Sequence, residues 1–580
     1  MRKQIKTLLD VVKGIKPPDT IITNAKIVNV FTDSIDEGQT IVIKDGMIAS
    51  VEQDSLAATY KPVRTIDANG FYLCPGFIDA HTHIDGIYPF REFVPYCIRG
   101  GTTTVVTETS AACCAAGMKG IRALIAGMKD YPVRAFFLAP PLTPPFPKLE
   151  NSLGLNIKEF TDMLRRDDCV GIGEAYWTRV VDADKQILDQ ISAALSLNKR
   201  LDGHAAGARG KKLIEYALTG ITSCHESISM EELVEKLKIG MYVMIREGSI
   251  RQELPELSKI KDLSVDTRRI ILVSDVFDAI MLTENGYLDF IGRKANQFGV
   301  SPLETIKMMT INPADYYGLR YLGAIAPLRY ADILFLSDLE RITIEKVMSN
   351  GEIVFESGAF KPKLRRHTYP EKLKHTIRNA GFRAEDFRIP ARTRKTTVRV
   401  IEIVNPTITK ETHAPASLKD GFVEKDLNND IIPVAMINRR NPRCMGKGLI
   451  KGTGIKSGAV STTLTWDTGN ILVIGSSEEN MAAAVNRLVE LQGGIVIVKN
   501  GKIIYEFQTE LFGLMPLMPM TRIAGKIRGL EDKLASIGAQ LQKPFLNIQT
   551  IPFTGLPYLR ITDKGLANVK QKRLVPLFVD

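Results

Sequence analysis

Cysteine is scarce in this chain and carries no pattern. Its seven cysteines, at positions 74, 97, 113, 114, 169, 224 and 444, are odd in number and include no Cys-x-x-Cys pair. That excludes a disulfide framework and a thiolate zinc knuckle, and it fits reduced thiols in a cytoplasmic protein. Cys113-Cys114, set among alanines, reads as two small buried residues. No apolar run approaches the ~20 residues of a membrane span. The start, Met1 to Asp10, has neither a long apolar core nor a small-residue cleavage site. Internal repeats and low-complexity tracts are absent. The glycines at 446, 448, 452, 454 and 458 lack the Gly-Lys-Ser/Thr ending of a phosphate loop and read as turns. Histidine is rare too, with seven in 580 residues, so the positions it occupies are informative.

What is present is the composition of a globular protein, 44% hydrophobic and 24% charged, long enough for about three or four domains. The net charge of +11 is local. Residues 361–400 hold thirteen Lys/Arg against three Asp/Glu, a surplus of ten. A solvated basic connector, broken by Pro362, Pro370 and Pro390, is favoured there over a nucleic-acid surface.

Along the chain, Ile5, Leu8, Val12 and Ile15 fall at helical spacing and predict an N-terminal docking helix. Residues 20–70 read as β, with a hairpin turning at Lys44-Asp45-Gly46. From Phe71 to about Leu322 apolar strands alternate with helical segments, the size and rhythm of a (β/α)8 TIM-type barrel. After Gly323 the β signal returns. The fold class is therefore α/β, with five parts. Residues 1–70 and 323–360 build one small β-sandwich from both flanks of a barrel at 71–322. The basic connector spans 361–400, and a C-terminal α/β domain spans 401–580, with a helix over Ser477–Leu491 and a hairpin over Gly494–Phe507 turning at Asn500-Gly501.

The chemistry begins at Pro75-Gly76-Phe77-Ile78-Asp79-Ala80-His81-Thr82-His83. Side chains two apart leave one face of a strand, so His81 and His83 can reach one ion from a strand end. Downstream, Glu174 (in Gly-Ile-Gly-Glu), His204 (in Asp-Gly-His-Ala), His225 (in Cys-His-Glu) and Asp275 (in Val-Ser-Asp) each end or follow a short apolar run. Barrel enzymes place their chemistry at such ends. Four of the seven histidines sit there; His367, His375 and His413 lie beyond. Imidazole and carboxylate donors suit Zn, Mn or Fe(II), and six of them can hold two ions sharing a water. Satisfied core polar residues are the competing account, and it strains to cover four histidines and two carboxylates together. Arg246-Glu247-Gly248-Ser249 follows the apolar run Tyr242–Ile245 and should also stand at a strand end. Trp177, Glu226, Asp85 and Asp278 are candidates for contact with substrate, Trp177 because aromatic faces suit flat rings.

These residues carry a family resemblance. The Pro75–His83 stretch is similar to the first-strand signature of the amidohydrolase superfamily. Gly323-Ala324-Ile325 and Ala331-Asp332 resemble its return into the β-sandwich. Gly171–Glu174, Asp202–Ala205, Cys224–Glu226, Gly240–Ser249 and the Ala483–Leu488 run resemble bacterial adenine deaminases, over most of the chain. The resemblance implies that His81 and His83 bind one metal, that Glu174 bridges two, that His204 and His225 hold the second, and that Asp275 both ligates and shuttles protons. It implies two divalent ions per chain (Mn, Fe or Zn), a purine-like small-molecule substrate, no membrane, and hydrolysis of adenine by a water sharpened between the ions. Oligomerisation is left open.

The chain departs from that family at four places: Ile84-Asp85-Gly86 for Ile-Glu-Ser, Glu108-Thr109-Ser110-Ala111 for Asp-Pro-His-Glu, Val276-Phe277-Asp278 for Asp-Arg-His, and Trp466-Asp467-Thr468-Gly469-Asn470 for His-Asp-Ser-His-Asn. Two other readings stay open: the same centre acting on another aminated heterocycle or cyclic amide, and a decayed barrel serving as a binding scaffold.

Overall fold

The computed structural model describes residues 2–57, 59–378, 380–391 and 396–579. Its centre is a curled parallel sheet. Strands β1 (Phe77–Thr82), β2 (Thr102–Thr107), β3 (Arg134–Ala139), β4 (Cys169–Tyr176) and β5 (Arg200–His204) pair in parallel in the order β5-β4-β3-β2-β1. Strands β6 (Ser223–Cys224), β7 (Tyr242–Arg246) and β8 (Ile270–Val273) form a second parallel set. A parallel bridge between Thr82 and Asp275 joins the end of β1 to the residue just past β8, so the sheet turns back toward its own start. Helices run between the strands and cover them, and every residue of β1 and β2 is buried. That explains why the strands read as unbroken apolar or Thr-rich runs without alternation.

Strands from both ends of this region meet in one further sheet. The N-terminal strands between Thr20 and Pro75 join those at Ile333–Asp338, Thr343–Ser349, Glu352–Glu356 and Ala359–Phe360. The seam is Tyr72–Pro75, antiparallel to Ile333–Leu336 and immediately before β1. Gly76 makes the turn between them, and a Cβ there would lie 2.3 Å from the Thr103 hydroxyl oxygen, closer than any side chain is accommodated. The first metal-candidate strand is thus anchored at its root by a second sheet. The hairpin turns sit where the Asp-Gly and Asn-Gly pairs are, with positive φ at Asp45, Gly46, Asn500 and Gly501.

Two local readings differ. The N-terminal helix spans Arg2–Val12 and buries Leu8 and Val11, whereas Ile5, Val12 and Ile15 remain exposed. The chain leaves the helix before Ile15, with Gly14 at φ 70°, so Ile15 never joins the face and Val11 pairs with Leu8 instead. The basic segment at 361–400, of which residues 379 and 392–395 lie outside the described residues, is more than a solvated connector. Ile377, Phe382 and Phe387 are buried against Met481, Val485 and Leu488 of the helix Glu478–Glu490. Its described charges stay exposed or half-buried while its sparse apolar residues dock.

The C-terminal region forms an eight-stranded sheet, from Thr409–Pro415 at one edge to Lys502–Gln508 at the other. Among the described residues no helix is long and apolar enough to cross a membrane.

Candidate metal centre

The C-terminal ends of the parallel strands bring six donors together. His81 and His83 leave β1 on the same side, Glu174 belongs to β4, His204 ends β5, His225 follows β6 and Asp275 follows β8. His81 Nε2 lies 3.4 Å from Glu174 Oε1 and 3.6 Å from Asp275 Oδ1. His83 Nε2 lies 3.5 Å and 3.4 Å from the same two oxygens. On the other flank His204 Nδ1 is 3.7 Å and His225 Nε2 3.0 Å from Glu174 Oε1. The donors fall into two sets that share Glu174: His81, His83, Glu174 and Asp275, then Glu174, His204 and His225.

These separations fit ions better than they fit hydrogen bonds. Most exceed good hydrogen-bond length, yet two ligands each ~2.0–2.1 Å from one tetrahedral ion stand about 3.3 Å apart. Both ring nitrogens of His81 and Nδ1 of His204 are buried with no hydrogen-bond partner among the described residues. A buried polar atom without a partner costs free energy, and a coordinated ion removes that cost.

Charge in the cluster tells the same story. Burial would strip these imidazoles of their protons, but the Asp275 and Glu174 carboxylates outweigh it. His81 is pushed up to about 10, and His83 well above its ordinary value. Burial also opposes charge on Glu174, yet His204, His225, His81 and His83 together hold it well below the usual carboxylate range. His225, stacked 4.2 Å from the His81 ring, is brought down to about 4 by burial and by its charged neighbour. Without an ion the cluster stores positive charge as protons, and a divalent ion must displace them. Metal loading is therefore expected to release protons and to weaken steadily as pH falls from about 10, the raised value of His81. Competition titrations between about pH 6 and pH 9 that gave a pH-independent affinity would count against this donor set.

Asp275 sits in a backbone conformation that few residues tolerate, with φ 57°. There its N–H donates to the His81 carbonyl (3.0 Å) and its carbonyl accepts from the His83 N–H (2.9 Å). The loop after β8 is thereby stitched to β1, and the carboxylate is carried over the pair of histidines. Burial would favour the protonated acid, but His81, His83 and Arg246 hold it well below its ordinary value.

Beneath the donors lies a residue that the sequence reading left out of the site. Glu108 is buried at the end of β2, accepts the Glu174 N–H at 3.1 Å and reaches 4.0 Å from His81 Nδ1. Burial and the nearby Glu174 charge push it up to about 8. Its carboxylate occupies the space a side chain at position 173 would need, since a Cβ on Gly173 would stand 2.1 Å from Glu108 Oε2. The second glycine of Gly-Ile-Gly-Glu was the available signal. Gly173→Ala is expected to cost about 1–3 kcal/mol of stability by overpacking, together with part of the metal content. An unchanged denaturation midpoint would contradict this packing.

The candidates for substrate contact divide. Asp85, Glu226 and Asp278 line the cavity above the donors. Asp85 accepts the Ala111 and Ala112 N–H groups at the start of the helix Ser110–Gly127, and burial raises it to about 6. Asp278 caps the helix Ala279–Glu284 by accepting from the Met281 N–H at 2.8 Å. Glu226 lies 3.8 Å from both His204 Nε2 and His225 Nε2 and is paired with Arg246, which also engages Glu253 and Asp275. Against the effect of burial, Arg246, His204 and His225 bring Glu226 down to about 2. Trp177 does not line the cavity; its indole N–H donates to the Ala206 carbonyl at 2.9 Å.

The aromatic wall comes from elsewhere. Tyr176 packs edge-on to His204 at 4.8 Å, Phe553 to Tyr176 at 5.9 Å, and Trp466 to Phe553 at 5.8 Å. Asp467 bonds the Tyr176 hydroxyl, and the Cys114 thiol donates to its carbonyl at 2.9 Å. The Trp466–Asn470 loop of the C-terminal sheet thus roofs the cavity, with Trp466 and Asp467 facing it.

Comparison with known proteins follows this division. Residues 72–354 match the amidohydrolase family, and residues 406–573 match the adenine deaminase C-terminal domain. The adenine deaminase of Moorella thermoacetica is 33% identical over 583 residues, covering 99% of this chain and 98% of the relative. That of Clostridium botulinum is 32% identical over 586 residues, with the same coverage. That of Staphylothermus marinus is 33% identical over 586 residues, covering 98% and 97%.

Proposed function

The chain belongs to the adenine deaminase family, and from that premise we propose that it hydrolyses adenine to hypoxanthine and ammonia at the six-donor centre. We read its fold as a (β/α)8 barrel over 71–322, with a β-sandwich from 1–70 and 323–360, the basic strap 361–400 and a C-terminal domain 401–580. Eight parallel strands in chain order and the Thr82–Asp275 bridge support that reading.

His81, His83, Glu174 and Asp275 would hold one divalent ion and Glu174, His204 and His225 a second, with Mn, Fe(II) and Zn all suited to the donors. When bound, such ions acidify a water and neutralise developing charge. The remaining chemistry belongs to the chain. One water carries two protons, and the reaction has two destinations for them: the ring nitrogen that gains hydrogen as its C=N bond opens, and the amine that leaves as ammonia. Two carboxylates stand ready. Asp275 takes the proton that the attacking water loses and returns it to the departing amine. Glu226, kept ionised by Arg246, passes the other to the ring nitrogen beside the attacked carbon. Asp85 and Asp467, which also line the cavity, would be acceptors for N–H groups of the heterocycle.

One observation carries the proposal. A single carboxylate oxygen, Glu174 Oε1, lies 3.0–3.7 Å from nitrogens of four imidazoles drawn from three separate strand ends. The test is ammonia release from adenine by protein loaded with Mn, Fe(II) or Zn. Turnover of a different aminated ring, and none of adenine, would replace the substrate; no turnover of any ring would retire the reading.

A further inference from the structure

The cavity over the donors measures about 660 Å³, several times what a bare purine fills, and two kinds of side chain line it. The floor is made of imidazoles and carboxylates. Much of the remaining lining is aliphatic and aromatic, with Ile228 and Ile250 from the loops after β6 and β7, and Leu464, Leu514, Phe553 and Leu556 from the C-terminal region, interspersed with Arg251, Glu531 and Lys543. The aromatic contacts form a chain: His204 touches Tyr176, Tyr176 touches Phe553, and Phe553 touches Trp466. Ile228 keeps 61% of its surface exposed while facing this cavity. A binding cavity ordinarily covers most of its ligand and is covered by it in turn. A purine seated with its amine-bearing carbon at the donors would point its five-membered ring at the aliphatic wall and leave that wall wet.

We propose that the site is built for aminopurine-like heterocycles carrying an apolar substituent on the ring edge remote from the amine, with adenine as the smallest member of the class. This rests on the deaminase reading for its orientation, since it places the amine at the metal donors. Each methylene moved from water into such a wall strengthens binding about fourfold, so a substituent of several carbons should dominate selectivity. Hydroxyl groups packed against those apolar side chains would give up hydrogen bonds to water without replacing them and lose affinity.

The experiment compares adenine, 9-ethyladenine, 9-benzyladenine, adenosine and adenosine 5′-monophosphate on the metal-loaded full chain. Expected is a kcat/KM for 9-benzyladenine at least about tenfold above adenine, with 9-ethyladenine between them and the gain residing in KM. Adenosine should fall below adenine, and its monophosphate should not become the best substrate. Adenine equal to or better than both alkylated compounds, or either ribosylated compound the best, overturns the proposal. Binding of 9-benzylhypoxanthine against hypoxanthine, by calorimetry, reads the same wall without turnover. At least about tenfold tighter binding of the benzyl compound upholds the pocket even if deamination fails, and equal binding overturns it even if deamination succeeds. Ile228→Ser, at a side chain already exposed, should lower the 9-benzyl preference severalfold; an unchanged ratio would remove this residue's wall from the site.

Discussion

Asp275→Asn is expected to lower kcat about a thousandfold, within the range assigned to a positioned acid–base group, while the folded protein keeps its denaturation midpoint. The substitution isolates charge and proton transfer from shape. Asparagine is among the residues that best tolerate positive φ, so the two backbone hydrogen bonds that stitch position 275 to His81 and His83 should persist. Arg246 keeps Glu226 and Glu253 as partners, so no buried cation is stranded. What disappears is the group that accepts the water proton and hands it to ammonia. The acid limb of the kcat profile assigned to this carboxyl should vanish with it. Because ion pairing holds Asp275 well below its ordinary value, that limb lies on the acidic side of the usual carboxylate range. A variant retaining more than about a tenth of wild-type kcat would remove Asp275 from the proton path.

Glu174→Ala should have the second large effect, on metal content first and activity in consequence. Glu174 is the one residue common to both donor sets. Its loss leaves four imidazoles facing one another without the carboxylate that held them together, and binding at both positions should weaken by more than about a hundredfold. Elemental analysis of dialysed protein should then find almost no metal. His204→Ala is the informative contrast: it breaks only the set with His225, so His81, His83, Glu174 and Asp275 should retain one ion. Equal losses in the two variants would mean one shared ion rather than two. Wild-type metal content in Glu174→Ala would dismantle the centre.

Local pattern and tertiary contact contributed to different parts of this site. The alternation of apolar strands with helices, the Asp-Gly and Asn-Gly turns and the helix capped by Ser477 follow from side-chain period and backbone preference, which neighbouring residues dictate. The donors were legible for a related reason. In a parallel α/β sheet chemistry gathers at the C-terminal strand ends, so four rare histidines, each at the end of an apolar run, stood out in the chain.

Other elements escaped because their partners are remote. Glu108 looked like one polar residue in a divergent loop, and only the gap beside Gly173 in the next-but-one strand of the sheet makes room for its carboxylate. Trp177 is near Glu174 in the chain and is one candidate for stacking, but its indole N–H donates to the Ala206 carbonyl and it does not line the cavity. The aromatic wall is instead assembled by Trp466 and Phe553, 289 and 376 positions further on. Likewise the N-terminal helix buries Val11 because the helix stops before Ile15 can reach the same face.

By itself, then, the order of amino acids determined the elements, the kind of donors and the family to which the chain belongs, since all three are written in short stretches with a regular period. Packing decided which carboxylate supports the centre from below, which aromatics wall it, and how much room is left over the donors. Those features arise where a C-terminal loop meets the mouth of the curled sheet, and contact between segments hundreds of residues apart has no local period to announce it.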